Sequence, residues 1–446
     1  MVTYYGPLLI YIVSFPVMFM TLFRVEIGIL FFITLVPIIS AMKKIVEFPG
    51  GNQFADFLLI SIVLGWLLGA LRENRRIFRS SFVNGVVILV VFGSIINLIR
   101  GYTFMEFSPD IDLIRLQDWK NYMILPLIYF IAINNIDKEK IVKWIIVCVC
   151  LNMLVMDFNF YTTFRWFKGW HYSHSMRISG PFTFLGPNEL GVFYTMYTFL
   201  LLGLSYYIEN KKLKYFVLFV CACNFYPIVY SYSRAAYTSA IAGILILGII
   251  KDRKLLLLLI ALLIFYRFVL PNSVVERIDM TFLDKEEISE EQRESSAFDI
   301  GGATLEVTGR KQIWERAMKY FEEEPLLGIG FETFVTQEGY ITHSLFLRIL
   351  AEQGLVGATI FVIFIFTLLR QSYKLFKRSR LKLGQGIGLG FFTCVIVHLV
   401  GSISGDQSLY YNLMATFWLF MGIVASLNSQ LKENSHPLNE PQTLKN

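Results

Sequence analysis

Residues 82–99 read FVNGVVILVVFGSIINLI, a run without a charged side chain, bounded by Arg79 and Arg100. An uncharged apolar run of about 18 residues is long enough for a helix to cross the hydrocarbon core of a bilayer. Comparable runs recur at 4–23, 25–42, 54–71, 121–136, 141–163, 189–208, 213–230, 235–251, 254–270, 355–370, 384–403 and 411–428. On the 20-residue criterion this predicts about 13 spans, or 12 if one of the first two is half-inserted. The expected fold class is therefore all-α, a polytopic transmembrane helical bundle with one long external loop containing amphipathic helices. Its expected divisions are N-terminal spans in 1–163, central spans with Arg-bearing external loops in 164–270, the long loop in 271–354, and C-terminal spans with a cytoplasmic tail in 355–446.

Composition agrees. Of 446 residues, 55% are hydrophobic and 17% charged, against about 25% charged in soluble domains. So apolar a chain cannot hide its side chains in one water-soluble core. Disordered, collagen-like and small disulfide-scaffold classes are excluded. The net charge of +6 reads as Lys and Arg held on the cytoplasmic side rather than as nucleic-acid binding. The five cysteines lie within apolar runs as fillers, without the convergent ligands of a zinc site. His171 and His174 lack a third metal ligand, and Asp110 with Asp112 reads as a solvated external loop. The N-terminus, lacking a basic leader, reads as a first span.

Basic residues orient the chain. Arg72, Arg75, Arg76 and Arg79, Lys211, Lys212 and Lys214, and the cluster Arg370, Lys374, Lys377, Arg378, Arg380 and Lys382 belong to one set of loops. That set outnumbers the alternate one by roughly two to one, so it is expected to be cytoplasmic. The loops at 164–188, 231–234, 271–341 and 404–410 then share the external face. Nearly half of the acidic residues lie in 271–341, where KEEISEEQRESS at 285–296 reads as a solvated run.

The chemistry-bearing residues fall on that same face. Arg177 stands among Gly180, Pro181, Gly186 and Pro187, and Asn188 is positioned to cap a helix starting at Glu189, a combination suited to an anion. Ser233-Arg234 sits between two spans, where a charge is either functional or snorkelling. Arg310 precedes an amphipathic segment carrying Ile313, Trp314, Ala317, Met318 and Phe321 at helical spacing. Thr342 reads as an N-cap, which puts His343 in a first helical turn, where the dipole favours the neutral ring that a general base requires. Glu352, Gly354 and Gly357 mark a break before the next span, Asp406 is a supporting acid, and His398 packs within a span. Structural readings compete at each: a rigid loop at 177–188, a lid helix at 310–321, an interfacial hydrogen bond at His343. No phosphate-cradling Gly-rich loop is present, so ATP drive is not indicated.

The order of these segments resembles the O-antigen ligase and O-antigen polymerase superfamily of bacterial membrane glycosyltransferases. The resemblance rests on Arg177 and Gly180 with Pro187-Asn188, Ser233-Arg234, Gly309-Arg310 with Trp314, and Pro325-Leu326-Leu327-Gly328-Ile329-Gly330. It also rests on His343-Ser344 followed by Glu352, Gly354 and Gly357, and covers about 177–370. It implies a GT-C-like, inverting transferase of the cytoplasmic membrane, with its active site on the external, periplasmic face. The donor implied is an undecaprenyl-diphosphate-linked oligosaccharide and the acceptor a glycan or lipid-linked glycan, with no cofactor and no required metal. A chain-length regulator or a flippase would be further partners; nucleic acid is not one. Arg177, Arg234 and Arg310 would hold the diphosphate, with Asn188, Ser233 and Glu352 in the substrate site and His343 as base. Family ligases often carry Asn after that His, where this chain has Ser344. Polymerisation of a surface polysaccharide is the preferred reading. Ligation to lipid A-core is its alternative, and a lipid-linked glycan flippase is the competing class. A flippase would show internal repeats and ionisable groups near the bilayer midplane.

Overall fold

A computed structural model describes residues 2–105, 108–164, 171–181, 186–280, 282–283, 297–300, 303–306 and 310–433. The acidic run 285–296, Gly309, residues 182–185 and the tail 434–446 lie outside the described residues. The chain is a helical bundle. Its first half comprises α1 (Val2–Thr21), α2 (Val25–Leu35), the short α3 (Lys43–Val46), α4 (Phe54–Arg72), α5 (Phe82–Phe104), α6 (Pro109–Asn135) and α7 (Glu139–Thr163). α8 (Pro187–Ser205), α9 (Lys211–Tyr230), α10 (Arg234–Ile250), α11 (Lys254–Val269) and α12 (Asn272–Asp279) follow. The long loop then contributes β1 (Phe282–Leu283), β2 (Ala297–Ile300), β3 (Ala303–Glu306), α13 (Arg310–Glu323) and α14 (Thr333–Glu338). α15 (Leu345–Arg378), α16 (Lys382–Gly401) and α17 (Tyr411–Glu433) complete the chain. The strands form a small antiparallel sheet in the order β1-β3-β2, with Phe282 and Phe298 both paired to Leu305.

Seven helices among the described residues are long and apolar enough to cross a membrane, or eight if α11 and α12, bent by 111°, count as one span. Tyr5–Thr21, Val25–Ile39 and Arg234–Ile250 are shorter apolar helices. The expected 12–13 spans thus exceed the number of helices that qualify by length and hydropathy. The reasons are local. α8 runs through the centre of the bundle, so its Tyr194, Thr195, Tyr197 and Thr198 face protein rather than lipid and are buried. α6 begins twelve residues before the expected span, with a polar front that includes Asp110 and Asp112 in its first turn. Those two aspartates are therefore helical, not in an external loop, and Asp112 lies 3.4 Å from the buried Arg115.

α8 packs closely on α16 because glycine lines the contact. A Cβ on Gly390 would lie 2.3 Å from the Leu200 carbonyl oxygen, and one on Gly386 2.9 Å from that of Leu204. In lipid, where apolar side chains gain little by leaving a hydrocarbon solvent, such small-residue contacts supply the packing. The outer face is apolar, as a bilayer demands: Phe92, Ile99, Leu263 and Phe268 are all more than half exposed. The protein is a multi-pass membrane protein.

Candidate functional site

The helix expected to begin at Glu189 begins two residues earlier, with Pro187 in its first turn and Gly186 as N-cap. Proline fits there because that position needs no amide donor. Asn188 is therefore inside the helix rather than capping it, and its side chain is free for another task. Its amide oxygen accepts from Arg177 Nη2 at 2.7 Å and from Ser233 Oγ at 3.0 Å. Ser233 is itself the N-cap of α10, accepting the Ala236 amide at 3.2 Å. The starts of α8 and α10 thus meet beside Arg177. Two helix N-termini add partial positive charge to that of the guanidinium. Arg234 opens α10, half-buried, one residue beyond Ser233.

A further arginine arrives on α12. Glu276 accepts from the Tyr172 amide at 2.7 Å and lies 2.8 Å from His171 Nδ1, which fixes α12 against the 171–173 segment. Arg277 is then buried, its guanidinium 5.0 Å from the Tyr172 ring and its Nε donating to the Tyr232 carbonyl at 3.4 Å. Tyr232 makes that carbonyl available by adopting a left-handed backbone, φ 52°. The sequence reading missed Arg277. Its signal was an isolated arginine among apolar and acidic residues in a loop rich in other charges, and only the fold distinguishes it.

Arg310, the first residue of α13, donates through Nη1 to the Ser404 carbonyl at 3.0 Å. Burial is the main cause lowering its pKa from the ordinary arginine value; repulsion from Arg177 and Arg277 adds to this, while Glu189 opposes it. Arg177 is lowered by burial in the same way, with Arg277 adding repulsion and Tyr172 and Glu189 opposing. Arg177, Arg277 and Arg310 therefore form one electrostatic cluster, and the buried Glu189 acts on Arg177 and Arg310. Arg177 Nε and Arg277 Nη1 are buried without a hydrogen-bond partner among the described residues. Such orphaned charged donors are costly unless an acceptor is supplied.

His343 borders this cluster. It does not lie in a helical turn: its φ is 53°, Ser344 is the N-cap, and α15 starts at Leu345. Thr342 Oγ1 accepts the Ser344 amide at 3.4 Å, and the helix is entered two residues later than the sequence suggested. The Leu345 amide reaches the Ser402 and Gly405 carbonyls, each at 3.1 Å, which ties the His343 turn to the loop that also receives Arg310. Burial, followed by the charge of Arg310, lowers the His343 pKa to about 4. The ring is neutral near pH 7, and its buried Nδ1 has no partner among the described residues.

Glu352 has a different placement. It is buried in α15 beside Arg348 and Asp406, with its carboxylate at the Glu332 and Phe334 amides, while its carbonyl accepts the Gly330 amide at 2.9 Å. Just beyond it, Gly354 breaks the helix with φ 59° and ψ −158°, which frees the Leu355 and Val356 amides to donate to the Pro325 and Leu326 carbonyls. The Pro325–Gly330 motif is thus the strand-like partner of a helix break. Asp406 is ion-paired at 2.9 Å with Arg348, a partner the sequence did not reveal. His398, buried in α16, has Nδ1 3.3 Å from Gln407 and Nε2 3.3 Å from Ser408.

Residues 216–362 match a family model described as O-antigen ligase. That stretch, about a third of the chain, is similar to the O-antigen ligase family. The matched stretch contains Ser233, Arg234, Arg277, Arg310, His343 and Glu352, whereas Arg177 and Asn188 precede it and reach it through the contact with Ser233. The helix break at Gly354 and its partner segment also fall within the stretch similar to O-antigen ligase. A search of proteins with curated functions found no match.

Proposed function

We propose that this protein is an inverting glycosyltransferase that moves a glycan from a polyprenyl-diphosphate-linked donor to a sugar hydroxyl, polymerising a surface polysaccharide on the external face of the cytoplasmic membrane. The observation that carries this reading is the convergence of Arg177, Arg277 and Arg310 at two helix N-termini, with guanidinium donors left unpaired. A planar fork of permanent charge suits a diphosphate. In the transfer, the acceptor oxygen forms a bond to the anomeric carbon as the bond from that carbon to the phosphate oxygen breaks. The electron pair leaves with the polyprenyl diphosphate, where the arginines stabilise the added charge. The acceptor proton passes to His343. A bound anionic donor offsets the Arg310 charge that depresses the imidazole, making the base stronger when substrate is present. Arg234 lies at the start of α10, one residue from this site, as a further diphosphate contact. Glu352 acts by bracing the Gly330–Phe334 segment.

A second reading, transfer to lipid A-core, is favoured by the description of the matched family as O-antigen ligase. Vesicles containing purified protein and the lipid-linked repeat unit test both. Longer lipid-linked chains made without another acceptor support polymerisation, and product formed only when lipid A-core is added supports ligation. Movement of the donor between leaflets without new glycosidic bonds would overturn both in favour of a flippase.

A further inference from the structure

At the far end of α15 from His343, α5, α15 and α17 enclose an open cavity of about 810 Å³. Arg370, Lys374, Lys377 and Arg378 line it. Their spacing of four, three and one residues puts them on one face of α15. Ser81 also lines the cavity and caps the start of α5 by accepting the Val83 amide at 3.3 Å, so the positive end of that helix is presented to the same space. No aspartate or glutamate is among the described residues of the lining.

The expected bias of basic residues toward cytoplasmic loops explains the presence of these cations, but not a cavity at their centre. Asn428 supplies the second observation. It is buried, lines the cavity and donates through Nδ2 to the Gln371 carbonyl at 2.9 Å, while its Oδ1 has no partner among the described residues. A buried amide oxygen calls for a hydrogen-bond donor. The ligand should therefore carry an anionic group for the four cations and a hydroxyl for Asn428.

The rim identifies the source of that ligand. Phe82 and Tyr373 line the cavity and are 61% and 44% exposed. Lys377 Nζ lies 5.6 Å from the centroid of the exposed Tyr373 ring and 5.0 Å from that of the buried Phe376, so a charge sits beside the aromatic rim. An aromatic edge below a basic cavity, at the end of spanning helices, matches acyl chains below a phosphate headgroup. The side chains of 434–446 include one glutamate, Glu440, and one lysine, Lys445, and so offer no excess of anionic side chains and no acyl chain for the aromatic edge. We propose that this cavity is a binding site for an anionic phospholipid with a hydroxyl-bearing headgroup, of the phosphatidylglycerol type.

Native mass spectrometry of the full-length, delipidated protein tests this with phosphatidylglycerol, phosphatidic acid and phosphatidylcholine as probes. Phosphatidylglycerol should be retained about tenfold more strongly than phosphatidylcholine, and Arg370→Gln with Lys377→Gln should lower its affinity about thirtyfold. Wild type should also prefer phosphatidylglycerol over phosphatidic acid, which lacks the alcohol hydroxyls of the glycerol headgroup, and Asn428→Leu should remove that preference. Equal retention of phosphatidylglycerol and phosphatidylcholine would overturn the proposal, as would a double variant that binds like wild type. Displacement of phosphatidylglycerol by equimolar inorganic phosphate would reassign the cavity to a soluble anion. If the double variant does not fold, the wild-type comparison of the three lipids and the single variant Lys377→Gln still decide the matter.

Discussion

Arg177 donates to the side-chain oxygen of Asn188 at 2.7 Å, and Ser233 donates to the same oxygen at 3.0 Å. One neutral acceptor thus joins a loop arginine to the first turns of two helices. Because Asn188 carries no charge, it orients the guanidinium without neutralising it. An aspartate in its place would hold the same geometry while cancelling the charge that a phosphate needs.

Asn188→Asp and Asn188→Leu should therefore fail differently. A charge-assisted hydrogen bond contributes about 1.5–3 kcal/mol, so Asn188→Leu should lower kcat/KM by about 10- to 100-fold through misplacement of Arg177. Asn188→Asp should keep the fold and raise KM for the lipid-linked donor, because it competes with diphosphate for Arg177. Steady-state assays in vesicles separate the two; an Asn188→Asp variant with wild-type KM would show that Arg177 does not contact the donor.

Arg277→Lys gives a sharper test of the cluster. Lysine retains the charge near Tyr172 but loses the fork that contacts the Tyr232 carbonyl and leaves Nη1 free. We expect normal insertion and thermal stability with kcat reduced by about 100-fold, the scale for removing one positioned donor from a developing anion. Arg177→Lys should behave alike. Wild-type turnover in Arg277→Lys would make Arg277 a structural residue.

Much of this site was legible before the fold, and what was not has definite causes. Arg177, Asn188, Ser233, Arg310 and His343 stand beside turn and cap residues, so local grammar singled them out. The contacts that unite Arg177, Asn188 and Ser233 span up to 45 residues, which periodicity cannot register. Arg277 was hidden because a short amphipathic helix in a polar loop looks like surface. The helix starts at Pro187 and Leu345 moved because proline entry and the left-handed backbone at His343 override cap preferences. Fewer helices qualify as spans by length and hydropathy than the apolar runs suggested, because helices such as α6 and α8 mix apolar windows with polar side chains that face protein.

The His343 pKa, lowered from 6.5 to about 4, gives a signed expectation for pH. Burial is the larger cause and Arg310 the smaller, so Arg310→Gln should raise the imidazole titration part of the way toward 6.5. In wild type the unfolded chain binds more protons than the folded one between the two values, so this group's stabilisation is complete above about pH 6.5 and is lost as pH falls toward 4. Arg310→Gln narrows that window. Histidine NMR, assigned with His343→Gln, reads the shift directly; a downward move on removing Arg310 would contradict the proximity of the two side chains.

Arg348 and Asp406 form a 2.9 Å ion pair whose side chains are 9% and 2% exposed. Burial pushes the Asp406 pKa up to about 6 against the opposing charge of Arg348. The carboxylates of Glu352 and Glu332 also act on Arg348, so removing the cation strands more charge than removing one anion. Breaking a buried pair costs about 3–5 kcal/mol, whereas replacing both members by apolar groups can cost little. Arg348→Met should thus lower the melting temperature in detergent more than Asp406→Asn does. Arg348→Met with Asp406→Leu should recover part of the loss, leaving the residual cost of Glu352 and Glu332. Strictly additive losses in the double variant would mean that the two side chains contribute independently, and that the loop at 402–406 is held by its other contacts, among them those to Arg310 and Leu345.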